Sequence, residues 1–275
     1  MLSAILSSLR TSYHEGDPSS EEVVYTLFAP SYRGYWTSTG SPNQRGIEKD
    51  GRAIFKYLDD NGYLGTRPTS QPDVSLQRDI EDQGRDHDER TQVVLWGASI
   101  GANIIMTTLA NHLCSITPPL QSGDSEYPNV TSPYTPAAII LETPFLSIPH
   151  MLVELYPQKW LPYRYLTPFL RNSWDLEDAV QRISRHPNMG KLGKVLILTA
   201  EKDEVVGNAQ GDGVEVVLRK FLERGGGKGK ESEDKTVVKR VVVRGALHVE
   251  CLVKGQGKRE VMGLLQAVGE AKLKT

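Results

Sequence analysis

Three residues far apart in the chain have the side chains that nucleophilic catalysis needs: Ser99, Asp203 and His248. A serine hydroxyl is a weak nucleophile until a neighbouring base takes its proton, and that base is most often an imidazole oriented by a carboxylate. We interpret His248 as the base that takes the Ser99 proton and later protonates the leaving group. Asp203 is interpreted as the acid that holds the imidazole tautomer and stabilises the imidazolium.

Each of these assignments has an alternative. Glu204 follows Asp203 directly and is the second choice of acid, and Glu142, at the end of another predicted strand, is a third. A Gly-x-Ser-x-Gly motif alone also fits a plain turn in a strand–helix unit, and a lone histidine is more often solvated or in the core. The order serine, acid, histidine, with the acid and the histidine each following a predicted strand, favours the catalytic interpretation.

The residues around Ser99 predict a short buried strand, a tight turn and a helix. A β-branched apolar run precedes the motif, and apolar or weakly polar residues at helical spacing predict a helix from about 100 to 114. This context is what the motif needs if the serine is to project from the carboxyl end of a sheet on a strained backbone. Gly97 and Gly101 are expected because a side chain at either position would collide with the neighbouring strand or helix.

Strands and helices alternate along the chain. This alternation predicts α/β architecture, with a mostly parallel sheet that is covered on both faces. Because ligand sites lie outside the carboxyl ends of such strands, residues that follow different strands meet at one edge. The predicted strands are 22–29, 93–96, 137–142, 194–200 and 236–243, and the other predicted helices are 1–13, 46–61, 210–222 and 257–271.

The remaining segments predict one domain, 1–275, with surface insertions and a small helical lid. The insertions are the polar or low-complexity stretches at about 62–90, 115–136 and 224–236. The lid, about 143–175, is dense in proline and aromatic residues. The candidate substrate-binding side chains are Tyr32, Trp36, Phe145 and Trp160.

Bulk properties exclude several classes of function. A net charge of −2 on 275 residues predicts no nucleic-acid partner. No metal-ligand spacing and no phosphate-binding loop appears, so neither a metal nor a cofactor is predicted. The two cysteines, Cys114 and Cys251, lie in or beside apolar segments and are expected to be buried thiols. Residues 1–9 are apolar but too short to span a membrane and lack the flanks of a signal peptide.

Several motifs resemble the Bem (bud emergence) subgroup of α/β-hydrolases, which is related to plant wavy-growth and animal abhydrolase-domain proteins. The motifs lie at 31–42, 96–101, 141–145 with 147–149, 170–175, 201–203 and 245–248, in order along nearly the whole chain. The resemblance implies an α/β-hydrolase fold and a Ser-Asp-His hydrolase. It further implies an ester or thioester substrate, such as a lipid-acyl group or an acyl protein, and a location at endomembranes or the plasma membrane. The aromatic lid is then a candidate contact with a membrane surface.

The chain departs from this family in two places. Family members begin with a membrane helix, opening strands and a His-Gly loop that supplies one oxyanion donor, and this chain starts at what matches the following helix. The backbone N–H of Ile100, the other oxyanion donor, is retained. Trp36 replaces the usual small glycine after Tyr35. The alternative interpretation is therefore an impaired or non-catalytic hydrolase fold that serves as a scaffold, or an incomplete gene model, and the lack of an anchor favours a cytoplasmic location.

Overall fold

Four parallel strands form one sheet in the order β1-β2-β3-β4. In this computed structural model, the strands are β1 (Val94–Ala98), β2 (Ala138–Glu142), β3 (Lys194–Ala200) and β4 (Val238–Val243). The structure describes residues 23, 25–61, 63–64, 91–116, 135–156, 158, 160, 165, 167–186, 192–223 and 236–273. The predicted helix 1–13 and most of the three predicted insertions lie outside these ranges.

Six α-helices are present in the described ranges. They are α1 (Gln44–Asp60), α2 (Ile100–Ile116), α3 (Ile148–Leu155), α4 (Leu176–Ser184), α5 (Asn208–Leu218) and α6 (Gly255–Leu273). A π-helical turn, Arg219–Glu223, extends α5, and a 3-10 turn, Thr167–Phe169, lies between α3 and α4. Side-chain caps begin several of these helices: Asn43 Oδ1 accepts from Gly46 N, and Asp175 Oδ1 accepts from Asp178 N.

Alternate residues of the strands face opposite sides of the sheet, and helices cover both sides. On one side, Ile139 and Ile197 pack with apolar residues of α2, α4 and α5. On the other side, Ile140 and Leu198 pack against Val261 and Leu265 of α6. Burial on both faces explains why the central strands β2 and β3 are almost continuously apolar. The prediction of an α/β fold with a covered parallel sheet is confirmed.

The prediction of a strand at 22–29 is wrong. Residues 25–29 have no regular secondary structure in the described chain. Their side chains find partners elsewhere: the Tyr25 hydroxyl donates to the carbonyl of Leu265 on α6, and Phe28 packs edge-on against Tyr63. Leu27 and Phe28 remain largely exposed. β-branched and aromatic composition favours extended backbone but does not ensure a pairing partner in a sheet.

Two expectations about burial also need correction. The strand before Ser99 was expected to be buried, but Val94, Leu95 and Trp96 are only half-buried, since β1 pairs on one side alone among the described residues. Cys251 is buried as expected, whereas Cys114 is exposed in the last turns of α2.

The segment predicted to be a lid contains short helices, as expected. They are α3 and the Thr167–Phe169 turn, and Ser147 caps α3 while Pro149 occupies its first turn. Of the described helices, none combines the length and the apolar character that crossing a membrane requires.

Candidate active site

Ser99 occupies a strained turn between β1 and α2. Its φ of 52° lies in the left-handed region, which a residue with a Cβ rarely adopts. The Ser99 N–H donates to the carbonyl of Glu142 at 2.7 Å, which fixes the turn to the end of β2. A Cβ on Gly97 would overlap the carbonyl of Gly101 and lie 2.7 Å from the nitrogen of Ala102. The predicted strain and the need for glycine at position 97 are confirmed.

The prediction for Gly101 is wrong. A Cβ built there meets no atom within 4 Å, apart from the backbone of its own helix. Gly101 lies in the first turn of α2 on a side that other segments leave open. Of the two glycines, therefore, only Gly97 is crowded, because the first turn of α2 lies directly against it.

The imidazole of His248 lies against the carboxylate of Asp203. Nδ1 of His248 is 2.9 Å from Oδ1 and 3.0 Å from Oδ2 of Asp203. Oδ1 also accepts the backbone N–H groups of Val205 and Val206, at 3.0 and 2.7 Å. An ionised carboxylate can only accept, so the proton of a neutral imidazole lies on Nδ1 and leaves Nε2 as an acceptor. The side chains of His248 and Asp203 are 9 % and 4 % exposed, so this bond is shielded from water.

The loop that carries His248, the base loop (residues 244–254), is fastened to the loop that carries Asp203, the acid loop (residues 201–207). Glu201 Oε2 accepts from Gly245 N at 2.7 Å, and Glu204 Oε2 accepts from His248 N at 3.0 Å. Lys202 N donates in turn to the carbonyl of Ala246 at 2.9 Å. Glu204, the second choice of acid, thus holds the backbone of His248 and not its ring.

Ser99, Asp203 and His248 lie beyond the carboxyl ends of β1, β3 and β4 respectively. The strands are parallel and in register, so these ends share one edge of the sheet. The structure joins Asp203 and His248 directly, and it places the Ser99 turn on the same edge. The backbone N–H of Ile100, at the start of α2, belongs to the first turn, whose N–H groups have no partner within the helix.

β2 ends at the same edge with Glu142, which is 3 % exposed. Burial raises the pKa of this carboxyl to about 7, while hydrogen bonds from the Trp96 side chain and the Leu252 backbone, and the charge of His248, act in the opposite direction. Burial also raises the pKa of the Cys251 thiol to about 12, with further contributions from the charges of Glu142 and Asp203. The thiol of Cys251 is therefore a neutral packing group at physiological pH.

The four candidate substrate-binding residues have different environments. Trp36 and Trp160 are 96 % and 80 % exposed, so their rings are available to a ligand. Tyr32 is half-buried and packs against the cluster of Ile47, Ile104 and Trp174, and burial raises the pKa of its hydroxyl.

The expectation that Phe145 binds substrate is wrong for this structure, in which the side chain is 1 % exposed. Its carbonyl accepts from Asn103 Nδ2 at 2.9 Å. Phe145 is therefore a buried packing residue of the segment that follows β2, and Asn103 holds its backbone against α2.

Sequence reasoning missed two polar residues that hold this segment in place. Asn103, four residues after Ser99, is fully buried and donates to the carbonyls of Phe145 and Trp174. Gln44 at the start of α1 accepts from Ser173 N and Trp174 N through Oε1, at 2.8 and 3.1 Å. An asparagine within the apolar first turns of a helix was a usable signal for Asn103, since buried amides require partners. Nothing local distinguishes Gln44 from a solvated residue.

No three His, Cys, Asp or Glu side chains are grouped so that they could hold a metal ion, within the part of the chain that the structure describes. What the arrangement offers instead is a hydroxyl on a strained turn, a buried imidazole–carboxylate pair and a helix N-terminus. These are the components of acyl transfer through a nucleophilic serine.

Comparison with known proteins gives the following likenesses. No family model matches the chain. The protein bem46 of Schizosaccharomyces pombe is 26 % identical over 180 residues, which are 66 % of this chain and 42 % of that protein. The α/β-hydrolase domain-containing protein WAV2 of Arabidopsis thaliana is 26 % identical over 194 residues, 68 % of this chain and 46 % of that protein.

Among solved structures, an esterase from Pyrococcus furiosus aligns with this chain at 13 % identity and a TM-score of 0.46. The alignment includes 86 % of this chain and 66 % of the esterase. The chain spans less than half the length of the two curated relatives. Those two relatives and the motifs quoted above support the Bem subgroup of the α/β-hydrolase superfamily as the family to which this chain is related.

Proposed function

We propose that this protein is a serine hydrolase that cleaves an ester or thioester through an acyl-enzyme, with Ser99 as nucleophile, His248 as base and Asp203 as acid. The observation that carries the proposal is the 2.9 Å contact between His248 Nδ1 and Asp203, at the sheet edge that also presents Ser99. A buried imidazole–carboxylate pair of this kind is costly to form, because the polar groups lose their hydration, and it has no evident packing advantage. The strained φ of Ser99 is a second feature that folding alone does not require.

In the first half of the reaction, Ser99 Oγ attacks the carbonyl carbon of the substrate while Nε2 of His248 accepts the hydroxyl proton. Asp203 keeps the imidazole in the Nδ1–H tautomer and stabilises the imidazolium. The N–H of Ile100 donates to the developing oxyanion. The bond to the leaving oxygen or sulfur then breaks, and His248 gives its proton to the leaving group. In the second half, water attacks the carbonyl carbon of the acyl-enzyme while His248 accepts its proton. The bond between that carbon and Ser99 Oγ breaks, His248 returns the proton to Oγ, and the acid is released.

The proposed substrates carry an apolar acyl chain, as in lipid-acyl groups or acylated proteins. Large aromatic side chains are exposed on the loop before α1 and on the segment between α3 and α4, namely Trp36, Trp160, Tyr165 and Phe169. Rings of this kind provide apolar contact area, while the polar atoms of the tryptophan and tyrosine side chains remain hydrated. These residues support an apolar substrate over a small charged one.

A fluorophosphonate probe tests the nucleophile directly, because it reacts with activated serines. The wild-type protein is expected to become labelled, and Ser99→Ala to lose the label completely. Ser184→Ala is the matched control, since Ser184 lies in α4 and its hydroxyl donates to the carbonyl of Gln181. A panel of p-nitrophenyl esters and acyl thioesters of increasing chain length then identifies the acyl group. A folded wild-type protein that is neither labelled nor active on this panel would contradict the proposal and favour the non-catalytic scaffold.

A further inference from the structure

One buried side chain, that of Gln210, joins the helix after the acid loop to the segment that follows β2. Gln210 lies in the first turn of α5 and is 6 % exposed. Its Nε2 donates to Oε2 of Glu154, in α3, at 2.6 Å. Its Oε1 accepts the backbone N–H of Leu146, which precedes α3, at 3.1 Å. Both polar atoms of the amide therefore have partners in the segment that follows β2.

The backbone of α5 leaves room for these contacts. A Cβ on Gly207 would overlap Oε1 of Glu154, and a Cβ on Gly213 would lie 2.8 Å from Cδ1 of Leu146. Gly207 is the N-cap of α5 and provides no side-chain cap, and the first turn of α5 has no acidic residue. The carboxylate of Glu154 therefore supplies, from another helix, the negative charge that a helix N-terminus favours.

Gln210 is also connected to Asp203 through the backbone of the acid loop. The N–H of Gln210 donates to the carbonyl of Gly207 at 3.0 Å. The residue before Gly207, Val206, is buried, and its N–H donates to Asp203 Oδ1 at 2.7 Å. The beginning of the acid loop is fastened to the base loop, where Glu201 accepts a backbone N–H. The side chain of Gln210 therefore holds the opposite end of the acid loop.

The position of α3 depends on the same amide. None of the eight residues of α3, all of which the structure describes, is fully buried, so apolar packing holds this helix only in part. Glu154 lies in its last turn, and Leu146 lies two residues before its start. Because Gln210 contacts the chain at both ends of α3, a displacement of this helix is coupled to a displacement of the acid loop.

We propose that Gln210 is a positioning residue for the reaction, whose amide ties the acid loop to α3 and so fixes the carboxylate of Asp203 against His248. The inference rests on the proposed hydrolase function. Gln210 touches neither substrate nor the reacting atoms in this role. It acts on Asp203 through the backbone of Gly207 and Val206.

The experiment exchanges the two side chains of the Glu154–Gln210 pair. Gln210→Leu removes the donor and the acceptor together, whereas Gln210→Glu keeps an acceptor for Leu146 but places two carboxylates in contact. The double variant Glu154→Gln/Gln210→Glu restores the pair with its roles reversed, because the amide at position 154 then donates to the carboxylate at position 210. Gln181→Leu, which removes a half-buried glutamine of α4, is the matched control.

Three quantities are measured for each folded variant. Ester hydrolysis gives kcat and KM separately. Proton NMR follows the signal of the proton on Nδ1 of His248, which reports the bond to Asp203 without any turnover. Amide hydrogen exchange at Leu146 reports the contact with Gln210, and exchange at Val206 reports the end of the acid loop.

Gln210→Leu is expected to lower kcat by at least about tenfold with little change in KM, because a misplaced acid weakens the base in the transition state. Exchange at Leu146 and Val206 should accelerate by at least about tenfold, and the His248 signal should shift or broaden. Gln210→Glu should lose activity to a similar degree, and the double variant should return to within about threefold of the wild-type kcat. Gln181→Leu should match the wild type in all three measurements.

Wild-type kcat together with an unchanged His248 signal in Gln210→Leu would overturn the inference. If Gln210→Leu does not fold, Gln210→Glu and the double variant decide, and equal losses of kcat in these two would overturn it. If the wild type is folded but neither labels nor hydrolyses an ester, the proposed function fails. The His248 signal and Val206 exchange then still decide whether Gln210 positions Asp203, and no change in either would overturn that role as well.

Discussion

The carboxylate of Asp203 lies 2.9 Å from Nδ1 of His248, although the two residues are 45 positions apart in the chain. Both side chains are nearly inaccessible to solvent, and the carboxylate also accepts two backbone N–H groups of the acid loop. The pair is therefore held from both sides before any substrate binds. This preorganisation is what a general base needs.

Asp203→Asn should lower kcat/KM by about ten-thousandfold, because an amide neither holds the required tautomer nor stabilises the imidazolium. The asparagine oxygen can still accept from Val205 and Val206, so stability should change little. The measurement is ester hydrolysis, with urea unfolding alongside. Asp60→Asn, in an exposed pair with Lys56, is the control and should retain full activity. Activity near the wild-type level in Asp203→Asn would reopen Glu142 and Glu204 as candidate acids.

Gly97→Ala and Gly101→Ala form a matched pair on either side of Ser99. Gly97→Ala forces a Cβ onto the backbone of Gly101 and Ala102, so we expect a loss of at least about 2 kcal/mol in the free energy of unfolding. Gly101→Ala adds a Cβ in open space within a helix and should be neutral or stabilising by up to about 1 kcal/mol. The measurement is urea unfolding. Equal losses of unfolding free energy in Gly97→Ala and Gly101→Ala would contradict the conclusion that only position 97 is crowded.

His112 should make the protein less stable in acid. It is buried in α2 and stacks on Phe55 with 4.6 Å between ring centroids, and burial, with a smaller contribution from His186, lowers its pKa to about 4. Between that value and the ordinary value of about 6.5, the unfolded chain binds more protons than the folded one, so stability falls as pH falls. We expect His112 to lower the free energy of unfolding by about 2 kcal/mol as the pH falls from 7 to 5.

The comparison is with His112→Leu, which should lack this part of the pH dependence. Glu142 has the opposite sign over part of this range, since its raised pKa makes the folded state bind more protons. That contribution is common to both proteins and cancels in the difference. The prediction would be contradicted if the free energy of unfolding fell by the same amount from pH 7 to pH 5 in the wild type and in His112→Leu.

Gln44→Ala should destabilise the protein by about 1–3 kcal/mol, because it removes the acceptor of two backbone N–H groups, those of Ser173 and Trp174. Thermal and urea unfolding provide the measurement. Glu48→Ala is the control, since it removes only the partner of the Gln44 side-chain amide. A loss of similar size in both variants would place the effect in helix α1 itself.

The exposed rings of Trp36 and Trp160 should promote binding to a lipid surface if the substrate is a lipid-acyl group. We expect the double variant Trp36→Ala/Trp160→Ala to sediment with phosphatidylcholine vesicles at least about tenfold less than the wild type, with unchanged stability. Tyr57→Ala, an exposed ring on α1, should bind as the wild type does. Identical sedimentation of all three proteins would exclude these rings as a membrane contact.

Much of the fold is predictable from local pattern. The bounds of β3 agree with the sequence prediction residue for residue, and those of α2 agree within two residues. A continuous β-branched run or a regular helical spacing is a local property that packing then reinforces. The segment 22–29 shows the limit, because its composition is typical of a strand and its partners are α6 and Tyr63.

The sequence by itself determined which residues follow each strand, and since parallel strands end at one edge, it determined that Ser99, Asp203 and His248 would share that edge. Only the tertiary structure decided which of three carboxyls lies against the imidazole ring: Asp203 contacts Nδ1, Glu204 accepts from the backbone N–H of His248, and Glu142 lies buried at the end of β2. It likewise buried Phe145 and left space beside Gly101. The physical reason is that side-chain contacts depend on distances of a few tenths of an ångström between segments far apart in sequence, and no local pattern encodes those distances.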